Sequence, residues 1–343
     1  MRESLGLPAL LDAEQMGAMG MDRVESRYRD KLRALEECLL GYGSVAVGFS
    51  GGVDSTFLAA VCARVMPTRV LLVHLATPFA TTPEREYSAP VTVTPGCEHS
   101  VSVAPTVECE RSVPMGDARV DAATGAYPDT ALDTPQATSF GLPLVTIDVD
   151  PLGDADIREN GPLRCYYCKR MGFERIVEVA RERGFAEVAD GSNADDADDY
   201  RPGMRAIREL GVRSPLMECG WRKPEERELL RAWGFAQWDL PAGACLATRI
   251  PCGEELDLQK LATVRACEDY LHSLGLSAVR ARLIGGTVRV EAPVEDLQAL
   301  SAWGDIADSG VSLPAGIVAE LTARAACPVE PVAVLYGKGG MNG

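Results

Sequence analysis

Residues 44–66 constrain the chain more than any other stretch. Ser44-Val45-Ala46-Val47-Gly48-Phe49 is short, apolar and β-branched, and Ser50-Gly51-Gly52-Val53-Asp54-Ser55 follows without a spacer. Residues 56–66 then carry a helical pattern. An apolar strand with no alternation suits burial on both faces, the condition of a parallel sheet covered by helices. The glycines let the backbone bend tightly at the strand end and approach a ligand closely. The loop amides and the helix N-terminus then point partial positive charge into the loop mouth, which suits a pyrophosphate. Ser50 and Ser55 can add hydroxyl donors, and Asp54 can hold the Mg²⁺ that neutralises the phosphates. A Walker A loop would carry a Lys after its second Gly, and none is present.

The rest of the pattern agrees with this strand–loop–helix unit. A helix is expected over residues 21–40, broken by Gly41-Tyr42-Gly43, and buried strands over 70–75 and 144–149. An amphipathic helix over 168–183 ends at Gly184, followed by a strand over 186–189 and a loop over 190–196. Strands alternating with helices give the α/β class, with an open, mostly parallel sheet. Downstream, helices over 256–274, 294–303 and 315–326 alternate with strands over 278–283, 287–291 and 332–336. The organisation expected is an N-terminal extension (1–20), an α/β domain (21–250) and a smaller C-terminal α+β domain (251–343). Residues 78–143 hold 9 of the 22 prolines, no Lys and no sustained period, and read as a disordered insert.

Acids outnumber bases 50 to 34, a formal charge of −16. Such a surface repels phosphate backbones at long range and argues against nucleic-acid partners. No stretch is apolar enough to span a bilayer. Eleven cysteines in a chain without a secretory pattern fit reduced thiols, so a cytoplasmic protein is expected. Cys38, Cys62 and Cys267 sit in apolar helical patterns and read as core residues, and His74, His99 and His272 as structural.

Arg164-Cys165-Tyr166-Tyr167-Cys168-Lys169 sets two thiols at metal-chelating spacing at an expected helix N-terminus, where Arg164 and Lys169 should lower their pKa values. Cys245, in Ala244-Cys245-Leu246-Ala247-Thr248-Arg249, also sits near a cation. Cys252 could complete a four-cysteine zinc site, the reading that would make the chain a non-catalytic ATP-binding module.

The loop at 50–55 resembles the PP-loop of ATP pyrophosphatases. In order after it come Arg164 to Lys169, Asp190-Gly191-Ser192-Asn193-Ala194-Asp195-Asp196, Asp199-Tyr200-Arg201-Pro202-Gly203, Arg213-Ser214-Pro215-Leu216 and the run 245–251. Together they resemble the ATP-dependent sacrificial sulfur transferases of the LarE type, over about residues 22–76 and 141–300. The resemblance implies the PP-loop fold, with ATP and Mg²⁺ at Ser50, Gly51, Gly52, Val53, Asp54, Ser55, Asn193 and Asp195, and with Asp195 or Asp196 as a second magnesium ligand. It implies adenylation of a carboxylate of pyridinium-3,5-biscarboxylic acid mononucleotide, then sulfur transfer to a thiocarboxylate on the way to a nickel-pincer cofactor. Some family members sacrifice the cysteine matching Cys245. Others hold a [4Fe–4S] cluster on three cysteines, matched here by Cys165, Cys168 and Cys245, and the cluster type is the expectation for this chain. Homo-oligomerisation is also implied.

Arg280 and Arg282 alternate on one expected strand and so share a face. With Arg249 they are candidates for the substrate's phosphate, and Glu268 and Glu291 for orienting them. Where the family often ends Tyr-Arg-Ser-Gly-Ser-Met-Asn, this chain has Tyr336-Gly337-Lys338-Gly339-Gly340-Met341-Asn342, with Lys338 in place of Arg. The rival enzyme reading is a PP-loop tRNA thiolase with a cluster, against which the acidic balance counts.

Overall fold

The computed structural model describes residues 13–82, 136–137, 140–196, 202–241, 243, 245–304, 306–307 and 310–336. Helix α1 (Ala13–Gly41) leads into β1 (Val45–Gly48), α2 (Val53–Val65) and β2 (Val70–Ala76). After β3 (Gln136–Ala137) and β4 (Pro143–Asp148) come α3 (Ala155–Arg158), α4 (Arg164–Glu182) and β5 (Glu187–Ala189). The first lobe continues through α5 (Pro202–Glu209), α6 (Pro215–Glu218) and α7 (Lys223–Ala232). Its sheet has the order β3-β4-β2-β1-β5, in which β4, β2, β1 and β5 run parallel and β3 is an antiparallel edge.

Val45, Ala46 and Val47 are fully buried, as an apolar strand in the middle of a covered sheet should be. Leu32, Leu35 and Leu39 recur at helical spacing and lay one face of α1 on the core. Phe57 of α2 packs on Trp221 (ring centroids 4.8 Å apart) and stacks on Trp233 (5.6 Å).

The smaller lobe comprises α8 (Leu258–Ser273), β6 (Arg280–Ile284), β7 (Thr287–Ala292), α9 (Val294–Ser301), β8 (Ile306–Ala307), β9 (Gly310–Ser312), α10 (Ala315–Ala325) and β10 (Val332–Leu335). Its sheet is mixed, in the order β6-β7-β10-β9-β8. The chain is therefore α/β with a second, smaller mixed-sheet lobe, as the periodicity implies. Among the described residues no helix is long and apolar enough to cross a membrane.

Some elements differ from expectation for local reasons. Helix α4 starts at Arg164, not 168, so Cys165 lies in its first turn and Cys168 one turn further in. Helices α5 to α7 are absent from the sequence reading. In α7 the buried face is Glu226, Leu229 and Leu230, and a carboxylate in an apolar stripe hides the helical period. The described fold also enters the 78–143 stretch from both ends. Phe79 is buried in the second lobe's core, Leu142 is fully buried in the first, and Phe140 packs edge-on against Phe49. Residues 83–135 and 138–139, which carry most of the expected insert, lie outside the described residues.

The two lobes meet at a seam. Leu246, Ala247 and Ile250 belong to the core of the second lobe, where Phe79 and Ile157 of the first join them. Leu246 N donates to Phe79 O at 2.9 Å, Leu256 N to Arg158 O at 2.8 Å and Gly253 N to Asn160 O at 2.9 Å.

Phe57→Ala is expected to lower the unfolding free energy by about 3–5 kcal/mol, because the ring fills a site enclosed by two tryptophans. Trp303→Ala, at a side chain 47% exposed, should change it by less than about 0.5 kcal/mol. Urea unfolding followed by circular dichroism tests both.

Candidate active site

Open parallel sheets bind ligands beyond the carboxyl ends of their strands, where the strand order reverses. Here the chain runs from β1 to β2 and on to β4, then returns to place β5 on the other side of β1. The crevice therefore opens between β1 and β5. Residues 50–55 leave one strand into it and residues 190–196 leave the other.

Gly51 holds φ +76°, a conformation open to glycine at little cost. Gly52 caps α2, and no side chain caps the first helical amides. Ser50 Oγ and Ser55 Oγ lie 3.2 Å apart, and Gly52 N donates to Ser50 Oγ at 3.4 Å. Val53 turns inward into the core. The opposite wall is pressed close: a Cβ on Gly191 would lie 3.1 Å from Ser55 N and 3.3 Å from Ser55 Cα.

Asp54 is held from two other elements of the mouth. Asn193 Nδ2 donates to its Oδ1 at 3.0 Å, and Lys223 Nζ pairs with its Oδ2 at 3.0 Å. Behind it lies Glu226, fully buried, hydrogen-bonded to Asp54 and reached by Asn193 Nδ2 at 3.4 Å. Burial first, and then the Asp54 carboxylate, push the Glu226 carboxyl up to about 10, so it stays protonated beside Asp54 at neutral pH. Both oxygens of Asp195 are engaged: Arg222 donates at 2.6 Å and Lys223 N at 2.9 Å, and these bonds hold its carboxyl below the usual range. Asp196 accepts from Asn193 N at 3.1 Å. Lys223 and Glu226 were missed by the sequence reading. Their signal, a Lys-Pro-Glu-Glu helix start, is common to many helices and carries no phosphate signature.

The three expected thiols converge around Arg164. This guanidinium is buried, donates to Asn160 Oδ1, to Ala247 O at 3.1 Å and to Cys165 Sγ at 3.4 Å. Burial opposes its charge, yet Cys245, Cys165 and Cys168 favour it, and its pKa is raised. Asn160 adopts φ +56° and spans the seam, donating Nδ2 to Pro251 O at 2.8 Å. Cys165 is exposed, while Cys168 and Cys245 are half-buried. The lowered thiol pKa expected at Cys168 is reversed. Burial, then Cys245 and Cys165, push it up to about 12 and outweigh Arg164 and Lys169. Cys252 is half-buried on the loop tied to Asn160. Among the described residues no three or more His, Cys, Asp or Glu side chains are placed to hold a single metal ion.

Lys169 links the thiol helix to the nucleotide wall, its Nζ 3.5 Å from the buried Asp190 carboxylate. On the second lobe, Arg249 forms a buried two-pronged pair with Glu268 at 2.6 and 2.9 Å, and Glu268 also accepts from Ala281 N. Arg282 pairs with Glu291 at 2.9 Å and donates to Thr248 O at 2.5 Å. Arg280 and Arg282 do share a face, lying 5.0 and 5.8 Å from the Tyr336 ring centre. Asp199, Tyr200, Arg201 and Lys338 lie outside the described residues.

No family model matches the chain. It is 30% identical over 268 residues to an uncharacterized protein of Synechocystis, covering 78% of this chain and 83% of that one. It is 36% identical over 157 residues to the pyridinium-3,5-bisthiocarboxylic acid mononucleotide synthase of Lactiplantibacillus plantarum, covering 46% of this chain and 57% of that one. The chain belongs to the LarE-type family. A third relative, an uncharacterized protein of Methanocaldococcus jannaschii, is 30% identical over 146 residues, 43% of this chain and 55% of its own. The matched segments thus span little more than half the length of the second and third relatives.

The LarE-type chain described here carries a testable titration. The Glu226 carboxyl is raised above its unfolded value of 4.5, to about 10. Below the unfolded value both states are protonated and the group imposes no cost. As pH rises towards 10 the unfolded chain ionises while the folded one keeps its proton, so stability falls. Glu226→Gln, which can still donate to Asp54, should be more stable than the parent at about pH 8, with the difference narrowing by about pH 4.5. Urea titrations across that range check the slope, and an unchanged slope would refute the protonated assignment.

Proposed function

We propose that the protein is an ATP-dependent sulfur transferase that activates a carboxylate of pyridinium-3,5-biscarboxylic acid mononucleotide and replaces oxygen by sulfur. The observation that carries this reading is the link between the thiol helix and the wall of the phosphate-type loop: Lys169, on the helix of Cys165 and Cys168, lies 3.5 Å from Asp190, whose neighbour Gly191 is pressed against Ser55. The printed name of the Lactiplantibacillus relative, a bisthiocarboxylate mononucleotide synthase, supports the substrate class.

The chemistry follows from the carboxylate. Its oxide is a poor leaving group, so a carboxylate oxygen first attacks the α-phosphorus of ATP. The bond to the bridging oxygen breaks and pyrophosphate departs with the electron pair. The α2 amides, Ser50 and Ser55 hold the departing phosphates, and Asp54 would hold the Mg²⁺ that neutralises them. A sulfur nucleophile then attacks the acyl carbon and AMP leaves, giving the thiocarboxylate. Arg280 and Arg282, on one face beside Tyr336, are suited to the substrate's phosphate, whereas Arg249 is already committed to Glu268 and braces the Cys245 loop.

Cys165, Cys168 and Cys245 fit a cluster by their donor set. They are three thiols around one buried cation, and their mutual repulsion helps push Cys168 up. They would hold a [4Fe–4S] cluster whose fourth iron is open to carry a sulfide. Arg164 ties Cys165 to the backbone of the loop that carries Cys245.

Anaerobic purification should yield brown protein with about four iron and four sulfide per chain. Cys245→Ser should retain pyrophosphate release and lose thiocarboxylate formation, and Asp54→Ala should lose both. A drop of about 34 Da in intact mass after turnover would instead mark Cys245 as consumed to dehydroalanine. A colourless protein with bound zinc and no pyrophosphate release would overturn the reading.

A further inference from the structure

The phosphate loop lacks the lysine that a Walker A loop supplies from within itself, yet its mouth holds a cation. Lys223 reaches it from the first turn of α7, far away in sequence, and its Nζ lies 3.0 Å from Asp54 Oδ2. Its placement is built rather than incidental. The Lys223 backbone N–H is fixed on Asp195 at 2.9 Å, and Asp195 is clamped a second time by Arg222. The wall carrying Asp195 is pinned by Ala194 N donating to Trp221 O at 2.7 Å, and Trp221 is buried against Phe57 of α2. The root of the lysine is therefore rigid, while its side chain, 34% exposed, can turn.

Glu226, one turn along α7 and fully buried, also bears on Asp54, so α7 meets the loop mouth at two points.

We infer that Lys223 is the cation that binds the departing pyrophosphate, doing from α7 what a Walker lysine does from its own loop. The inference rests on the ATP reading above and deepens it. Without nucleotide, Asp54 holds the ammonium at the loop mouth. With nucleotide and a divalent cation bound, Asp54 would turn to the cation and Lys223 would take the β- and γ-phosphate oxygens as its partners. As pyrophosphate leaves, its charge rises at the end of the loop that Lys223 faces, so the contact strengthens along the reaction.

The test is calorimetric binding of magnesium pyrophosphate, magnesium ATP and AMP to the full chain and to Lys223→Ala, Lys223→Gln and Lys223→Arg. A charge-assisted hydrogen bond lost from the ligand corresponds to about a ten- to hundredfold weaker association. Lys223→Ala and Lys223→Gln should lose this much for pyrophosphate and ATP and less than about threefold for AMP. Lys223→Arg should recover part of the loss. A merely structural lysine would weaken all three ligands together, and that outcome, like parental pyrophosphate binding by Lys223→Ala, overturns the inference alone. Failure of the parent chain to bind ATP or pyrophosphate overturns the nucleotide reading and this inference with it. Thermal unfolding of each variant identifies any that fails to fold, in which case Lys223→Arg against the parent decides.

Discussion

A Cβ on Gly191 would lie 3.1 Å from the Ser55 amide, and this close approach of two backbones governs the site. It brings the loop after β5 against the first turn of α2, so Asn193 can reach Asp54 and α7 can deliver Lys223 to the same carboxylate. Any side chain at 191 would have to push apart two main-chain segments, which have no rotamer to yield. The crevice between β1 and β5 is thus narrow by construction, and the donors of the α2 N-terminus face groups held by a different strand.

The second half of the crevice is organised around a buried charge. Arg164 is shielded from water and faced by three sulfurs, with hydrogen bonds to the neighbouring asparagine and to the backbone of the cysteine loop. A buried guanidinium is costly unless its surroundings answer it. Here the answering groups are Asn160 Oδ1, Ala247 O and Cys165 Sγ, so the cation holds the thiol helix and the cysteine loop in one arrangement. Across the seam, the buried Arg249–Glu268 pair extends the same bracing into α8 and β6.

What was legible in the sequence was local. The strand before Ser50 and the glycines after it specify their own conformation, and the structure has β1, the +76° turn at Gly51 and α2 where that pattern puts them. The cysteines were legible as motifs, but their environment was not. Cys168 sits one turn inside α4, and two distant thiols and burial decide its proton affinity rather than its flanking cations. Lys223 and Glu226 were illegible because nothing in a single helix records which loop it packs beside. Arg249 was legible as a functional cation and Glu268 as a residue to orient it, but the burial that commits the pair to each other depends on how residues 246–249 pack on α8.

The seam has a consequence for how such a chain can vary. The segment leaving β2 is tied to the cysteine loop through Phe79 O and Leu246 N, and the polypeptide is back in the first lobe by β3, with Leu142 buried in its core and Phe140 packed against it. Phe79 therefore answers to the second lobe although it follows directly on a strand of the first, so a substitution there would be felt at the Cys245 loop, far away in the chain.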